Sequence, residues 1–228
     1  MSDYTYYDKA NNTYYVNPNK YISELYADIM PQNVIEDIQK DICNSIEFKQ
    51  IQLSLLKGCE YNKQDSLCSV PNGSINSDVM IINKSPNEFE QTVTSSMLSP
   101  NNYLIPYLIK YMKLDYYCTD ILKCNSCNNV NYCIEKYFLK ELEIVNPKII
   151  IFNGIESYNL IKDKNIKLFS NMPKDVYYGN IYKVDNRTNV IIVYDTSKIF
   201  DNDKEMSSKM KNELWNQLSK IRNVLEVK

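Results

Sequence analysis

The sequence contains no histidine, and among its 228 residues it has only four glycines, one tryptophan and two arginines, Arg187 and Arg222. Without an imidazole, the side chain that most often moves protons near neutral pH is missing, so acid–base work falls to carboxylates, lysines, tyrosines or thiols. Scarce arginine, with a formal net charge of -2, excludes the strongly basic surface of a protein that coats nucleic acid. Any nucleic-acid contact must therefore be local. Long apolar runs are also lacking: none approaches the roughly 20 residues that a membrane helix requires. The first residues, MSDYTYYDKANNTYY, show no basic start, apolar run and small-residue cleavage site of the kind a secretory signal carries. The expected location is the cytosol, where thiols stay reduced, so seven cysteines point to metal binding or chemistry before disulfides.

What is present is ordinary globular material, 44 % hydrophobic and 24 % charged, in a chain long enough to bury a sizeable core. The heavy use of Asn, Lys, Ile and Tyr reads as drift in an AT-rich coding sequence and carries little functional weight. Twenty tyrosines hint at base stacking, although core and half-buried strand positions account for such rings as well.

Residues 4–16 form two Tyr/Thr-rich runs around DKANN, the pattern of a hairpin or extended arm. A helical stripe follows, with Pro31 in its first turn and Val34, Ile35, Ile38, Ile42 and Ile46 at helical spacing. Cys43 lies beside that stripe as a core thiol. A polar stretch from Gly58 to Asp78, with Pro71, Asn72 and Gly73 marking a loop, holds Cys59 and Cys68. From there apolar strands alternate with helices. DVMIIN precedes a helix around Leu104–Met112, and YYCTDIL precedes a cysteine loop and a helix presenting Ile134, Phe138, Leu142 and Val145. KIIIFN leads to Gly154 and a helix through Leu160; a ribbon near Tyr178–Val184 precedes NVIIVY, and a last helix carries Met210, Leu214, Leu218, Ile221 and Leu225. This alternation predicts a three-layer α/β/α sandwich on a mainly parallel four-stranded sheet, with ligands beyond the carboxyl ends of the strands. The unusual polar residues sit at those ends: Asn83 to Asn87, Asp120, Asn153, and Asp195 to Ser197. The expected organisation is an N-terminal arm with helices at 1–54 and the main domain at 55–228.

The second strand runs straight into cysteines, with Cys118 inside it and Cys124, Cys127 and Cys133 after it. Such a cluster is either a metal or iron–sulfur site or a set of buried reduced thiols. Cys124-x-x-Cys127 also suits tetrahedral zinc.

In order and spacing, the motifs from about residue 55 to 225 resemble the uracil-DNA glycosylase superfamily, in particular its iron–sulfur (family 4-like) class. DVMIINKSPNEFE resembles that class's strand followed by G-E-x-P-G, with Pro86 matching and Asn83, Lys84 and Asn87 replacing Gly, Glu and Gly. TDILKC is similar to T-N-x-x-K-C, with Asp120 for the base-reading Asn. NPKIIIFNG resembles P-K-x-I-x-x-L-G, VIIVYDTSKIF resembles V-x-x-x-x-H-P-S with Asp195 and Thr196 for His and Pro, and LWNQL resembles the closing W-x-x-L helix.

The resemblance implies a DNA-repair fold whose catalytic positions, Lys84 and Asp195, are degenerate. A charged lysine cannot accept a proton from water or attract an oxocarbenium cation, and a carboxylate cannot stabilise an anionic leaving base as an imidazole does. It also implies a base pocket of Ser85, Pro86, Met97, Asp120 and Ser197, and a groove-entering loop of Lys198, Ile199 and Phe200 with an apolar wedge. An ionised Asp120 only accepts hydrogen bonds, so such a pocket would reject O4 of uracil and suit the exocyclic amine of a cytosine. By the same resemblance a four-iron, four-sulfur cluster would be held by Cys59, Cys68, Cys124 and Cys133, with Cys127 as the alternative ligand. The implied partner is DNA, single-stranded or with an extruded base. Ordinary uracil excision is expected to be lost. Two rival readings are a non-catalytic interaction module for a replication or defence partner and a glycosylase for a modified cytosine.

Overall fold

The computed structural model describes residues 5–8, 13–16, 55, 68–99, 101–200 and 204–225. The expected helix at 31–46, Cys43 and Cys59 lie outside the described residues. In the arm, β1 (Thr5–Asp8) and β2 (Thr13–Val16) pair antiparallel, with Thr5 opposite Val16, as the hairpin pattern predicts.

The main sheet has six strands in the order β3-β5-β4-β6-β8-β7. Its four central strands, β5 (Tyr117–Asp120), β4 (Val79–Asn83), β6 (Ile149–Asn153) and β8 (Asn189–Val193), are parallel, as the apolar runs predict. Each edge carries a short antiparallel addition: β3 (Asn72–Gly73) beside β5, and β7 (Ile181–Lys183) beside β8. Asn72 and Gly73, read from sequence as loop markers, thus form a strand of two residues, too short to show any periodicity.

Alternate side chains of each strand face opposite layers. Met80, Ile82, Tyr117, Ile150, Phe152, Val190 and Ile192 pack on one face. There they meet Ile134, Phe138, Leu142 and Val145, which lie along α3 (Val130–Cys133), a π-helical turn (Ile134–Phe138) and α4 (Leu139–Val145). Tyr158 of α5 (Ile155–Asn159) completes that layer. On the other face Val79, Ile81, Cys118, Ile149, Ile151, Ile191 and Val193 meet Ile105 and Ile109 of α2 (Leu104–Tyr111) and Leu214, Leu218 and Ile221 of α7 (Lys204–Val224). Full burial of one such side chain contributes about 1.5–3 kcal/mol, so the two faces hold the three layers together. Two shorter helices flank the strand ends, α1 (Glu88–Thr92) after β4 and α6 (Thr196–Phe200) after β8.

The chain passes from β4 to β5 on one side and then returns past β4 to β6 on the other. The order therefore reverses between β4 and β6, the place where an open parallel sheet forms a crevice beyond its carboxyl ends. Gly154, at that end of β6, has φ 81, and a side chain there would place its Cβ 3.0 Å from Cβ of Asp195. Glycine lets the ends of β6 and β8 approach this closely.

Candidate functional site

The last residues of the central strands meet at the floor of this crevice. Asp120 is fully buried, and its two oxygens accept from Ser69 Oγ at 2.7 Å and Asn83 Nδ2 at 3.1 Å. Asn83 Oδ1 accepts from Asn153 Nδ2 at 3.4 Å, and Asn153 Nδ2 also reaches Thr196 Oγ1 at 3.1 Å. The return bond, Thr196 N to Asn153 Oδ1 at 3.0 Å, fixes the start of α6 on the end of β6. Thr196 Oγ1 lies 3.4 Å from Asn102 Oδ1, and the Asn102 amide donates to both oxygens of Glu90 at 3.0 Å. A continuous buried polar chain thus runs across the floor from Ser69 to Glu90.

Glu90 joins two jobs. Asn87 accepts from Glu90 N while the Glu90 carboxylate accepts from Asn87 N, a capping box that starts α1. The same carboxylate accepts from the backbone and hydroxyl of Ser99 at 3.2 and 3.0 Å, which ties the loop before α2 to the floor. Burial, and then the charge of Asp120, push its pKa from the ordinary 4.5 up to about 7. Burial likewise raises that of Asp120, against the hydrogen bonds from Ser96 and Ser69 and the charge of Lys123. Two buried acids in one hydrogen-bonded network are held toward their protonated forms, in which a carboxyl donates as well as accepts.

The rim is charged. Lys84 Nζ lies 2.8 Å from Glu156, and Lys198 Nζ lies 3.9 Å from its other oxygen, all three side chains being exposed. The two lysines, lysine 84 foremost by its hydrogen bond, hold the Glu156 carboxyl below its usual range. Asp195 is half-buried, and its Oδ1 accepts from Ser197 N at 2.9 Å and Ser197 Oγ at 2.6 Å, the pairing that caps a helix start.

A second buried cluster braces the loop after β5. Lys123 Nζ donates to Glu141 Oε1 and Thr119 Oγ1, each at 2.6 Å, and Thr119 Oγ1 also pairs with Glu141 Oε2 at 2.6 Å. Lys123 and Glu141 are 1 % and 0 % exposed, so the ion pair is closed to solvent. Burial raises the Glu141 pKa and the lysine opposes that shift. Next to it lie the thiols. Cys124 is hydrogen-bonded to Cys68 and to Cys127, and Cys127 Sγ lies 3.2 Å from Cys133 Sγ. The Cys68 contact is the largest cause that lowers the Cys124 thiol to about 6.

Of the residues singled out from sequence, Lys84, Ser85, Asp120, Asp195, Ser197 and Lys198 gather around this crevice, with Pro86 buried at its edge. Two do not face it. Met97 is fully buried among Ile105, Ile109 and Val79, and Ile199 is fully buried in the same layer against Leu214 and Leu218. Neither presents a surface to a base. The wedge role expected of Ile199 or Phe200 is thereby closed to Ile199, whose side chain is spent on the core. Asp120 likewise is fully buried, with Ser69 and Asn83 hydrogen-bonded to its two oxygens.

Sequence reasoning passed over Ser69, Glu90, Asn102 and Glu141. Asn87-x-x-Glu90 is a readable capping-box signature, whereas Ser69 and Asn102 look like any polar loop residue.

An α/β crevice with a buried polar floor at the switch of strand order defines the general class. Residues 70–219 match the family model of the uracil DNA glycosylase superfamily, and the chain belongs to that superfamily. No curated protein matches the chain. Among the described residues, no helix is long and apolar enough to cross a membrane.

Proposed function

We propose that this chain acts on or binds DNA through the crevice as a member of the iron–sulfur-like class whose base pocket is degenerate, and that it does not excise uracil at an ordinary rate. The observation that carries this reading is the floor. Asp120, at the position the motif TDILKC aligns with a base-reading Asn, is sealed by Ser69 and Asn83, and Asp195 spends Oδ1 on Ser197. Lys84, at the position of the water-positioning acid, turns instead to Glu156, and no histidine exists to take the imidazole's part. The reading of a glycosylase for a modified cytosine needs an ionised Asp120 as acceptor, and burial works against that charge state. Single strands are the favoured form, because an unpaired base spares the cost of extrusion.

Joint restoration tests the proposal. Lys84→Glu, Asp120→Asn and Asp195→His together are expected to gain uracil release from single-stranded DNA, while each alone gains little, since members of one site act as a unit. Rapid uracil release by the unmodified chain would overturn it.

The cofactor belongs to the same proposal. Among the described residues, no group of three or more Cys, Asp or Glu side chains surrounds one point as a metal ion requires. The thiols touch in series, Cys68 to Cys124 to Cys127 to Cys133, and the 3.2 Å contact is shorter than the roughly 3.8 Å edge that four thiolates make around zinc at 2.3 Å. Thiolates are the donors a thiophilic metal takes, and the set includes Cys127. A four-iron cluster, which needs its sulfurs spread wider, fits this arrangement less well, and Cys59 lies outside the described residues. Anaerobically purified protein is expected to carry iron or zinc that Cys124→Ala loses. Metal analysis finding neither removes this part of the proposal.

A further inference from the structure

Where the chain enters β7 it runs beside the end of β8, and Gly179 N donates to Ile192 O at 2.8 Å. This places Tyr178 against Tyr194, ring centroids 4.8 Å apart and tilted by 37°. Tyr194 immediately precedes Asp195 and the helix that carries Lys198, so the ring pair borders the crevice. Tyr178 is 41 % exposed and its neighbour Tyr177 is 65 % exposed.

The pair is held in place rather than loosely attached. Lys220 Nζ donates to Gly179 O at 2.7 Å, and Gln217 Oε1 accepts from Tyr194 N at 3.4 Å, so α7 grips both sides of the ledge. The Tyr194 hydroxyl pairs with Glu213, and Tyr182 Oη accepts from Tyr177 N at 2.6 Å. Gly179 has φ 73 and meets Gln217 Cγ at 2.6 Å from where a Cβ would sit, which allows the turn to lie flat on α7. Rings fixed in this way lose little conformational freedom on contact, and a π-face receives any base.

We propose that Tyr178 and Tyr194 form a stacking ledge for a base of single-stranded DNA that flanks the one at the crevice, with Lys198 and Lys84 on its phosphates. The inference rests on the nucleic-acid reading above and is argued from continuity: the ledge joins the crevice through Asp195, and exposed Lys198 follows in α6, facing Glu156 with Lys84. Tyr111, 69 % exposed, serves as the control. It ends α2 just before β5 begins, at the opposite end of the sheet, and packs edge-on against Trp215 at 5.7 Å.

The experiment is fluorescence anisotropy of the full chain with two single-stranded oligonucleotides of equal length, oligothymidylate and its wholly abasic counterpart, which share phosphates but not bases. Oligothymidylate is expected to bind roughly tenfold more tightly, the scale of one good stack. Tyr178→Leu with Tyr194→Leu removes most of that preference and leaves abasic affinity unchanged, whereas Tyr178→Phe and Tyr111→Leu keep it. If the double variant does not fold, Tyr178→Leu alone at its exposed position still reads the effect. Equal affinity for the two oligonucleotides, or a preference that survives the substitutions, overturns the ledge while the crevice reading stands and turns attention to a protein occupant. Absence of binding to either oligonucleotide overturns both.

Discussion

Glu90 is the residue with most to lose in this molecule. It starts a helix, anchors the Ser99 loop and faces the charge of Asp120, all while fully buried. Its folded pKa, about 7, lies above the ordinary 4.5, so the folded state binds its proton more tightly than the unfolded state does. The associated stability is complete below the ordinary value and is lost as pH rises through about 7. The raised Asp120 acts in the same direction. Unfolding in urea is therefore expected to show a loss on the order of 3 kcal/mol from pH 4.5 to 8 that Glu90→Gln flattens. A profile unchanged by that substitution would locate the titration elsewhere. At this scale little was legible beforehand. A lone Glu in a polar loop carries no mark of burial, and only the capping-box spacing from Asn87 could have flagged it.

Between elements, the Lys123–Glu141 pair joins the loop after β5 to α4 and so holds the thiol segment against the sheet. Removing one partner leaves the other charge buried without compensation. Lys123→Met is expected to cost roughly 3–5 kcal/mol by denaturant unfolding, and adding Glu141→Leu is expected to recover most of it. A loss below about 1 kcal/mol for Lys123→Met would mean that water reaches Glu141. The central strands and the helix stripes were readable because strands covered on both faces leave continuous apolar runs and helices leave a 3.6-residue stripe. The edge strand β3 was not, being two residues long, whereas the ribbon expected near Tyr178–Val184 contains β7. The buried pair escaped because Glu141, a charged residue in a helical pattern, reads as solvent-facing, Lys123 sits in a loop, and contact over 18 positions leaves no local signal. Met97 and Ile199 were placed near the pocket by alignment. Their own apolar character pointed to the core, and packing followed that character.

For the whole molecule, the strand order places the crevice, and the superfamily match over residues 70–219 names its ancestry. The crevice differs from an open pocket in being closed below by its own hydrogen bonds, from Ser69 through Asp120, Asn83, Asn153 and Thr196 to Asn102. On the proposed reading, a base reaching that floor would displace buried partners, each at a cost of about 1–3 kcal/mol if left unsatisfied. With a net charge of -2, compensating attraction is expected to be local, and among the described residues Lys84 and Lys198 stand at the rim. The account therefore separates binding from chemistry. Its most direct test is single-turnover uracil release by the unmodified chain from a single-stranded oligonucleotide bearing one uracil, run beside an active uracil-DNA glycosylase. The account predicts binding of the oligonucleotide with release slower by on the order of a hundredfold or more, since loss of one charge-stabilising group alone has that effect. Release at a rate matching the active enzyme would contradict it.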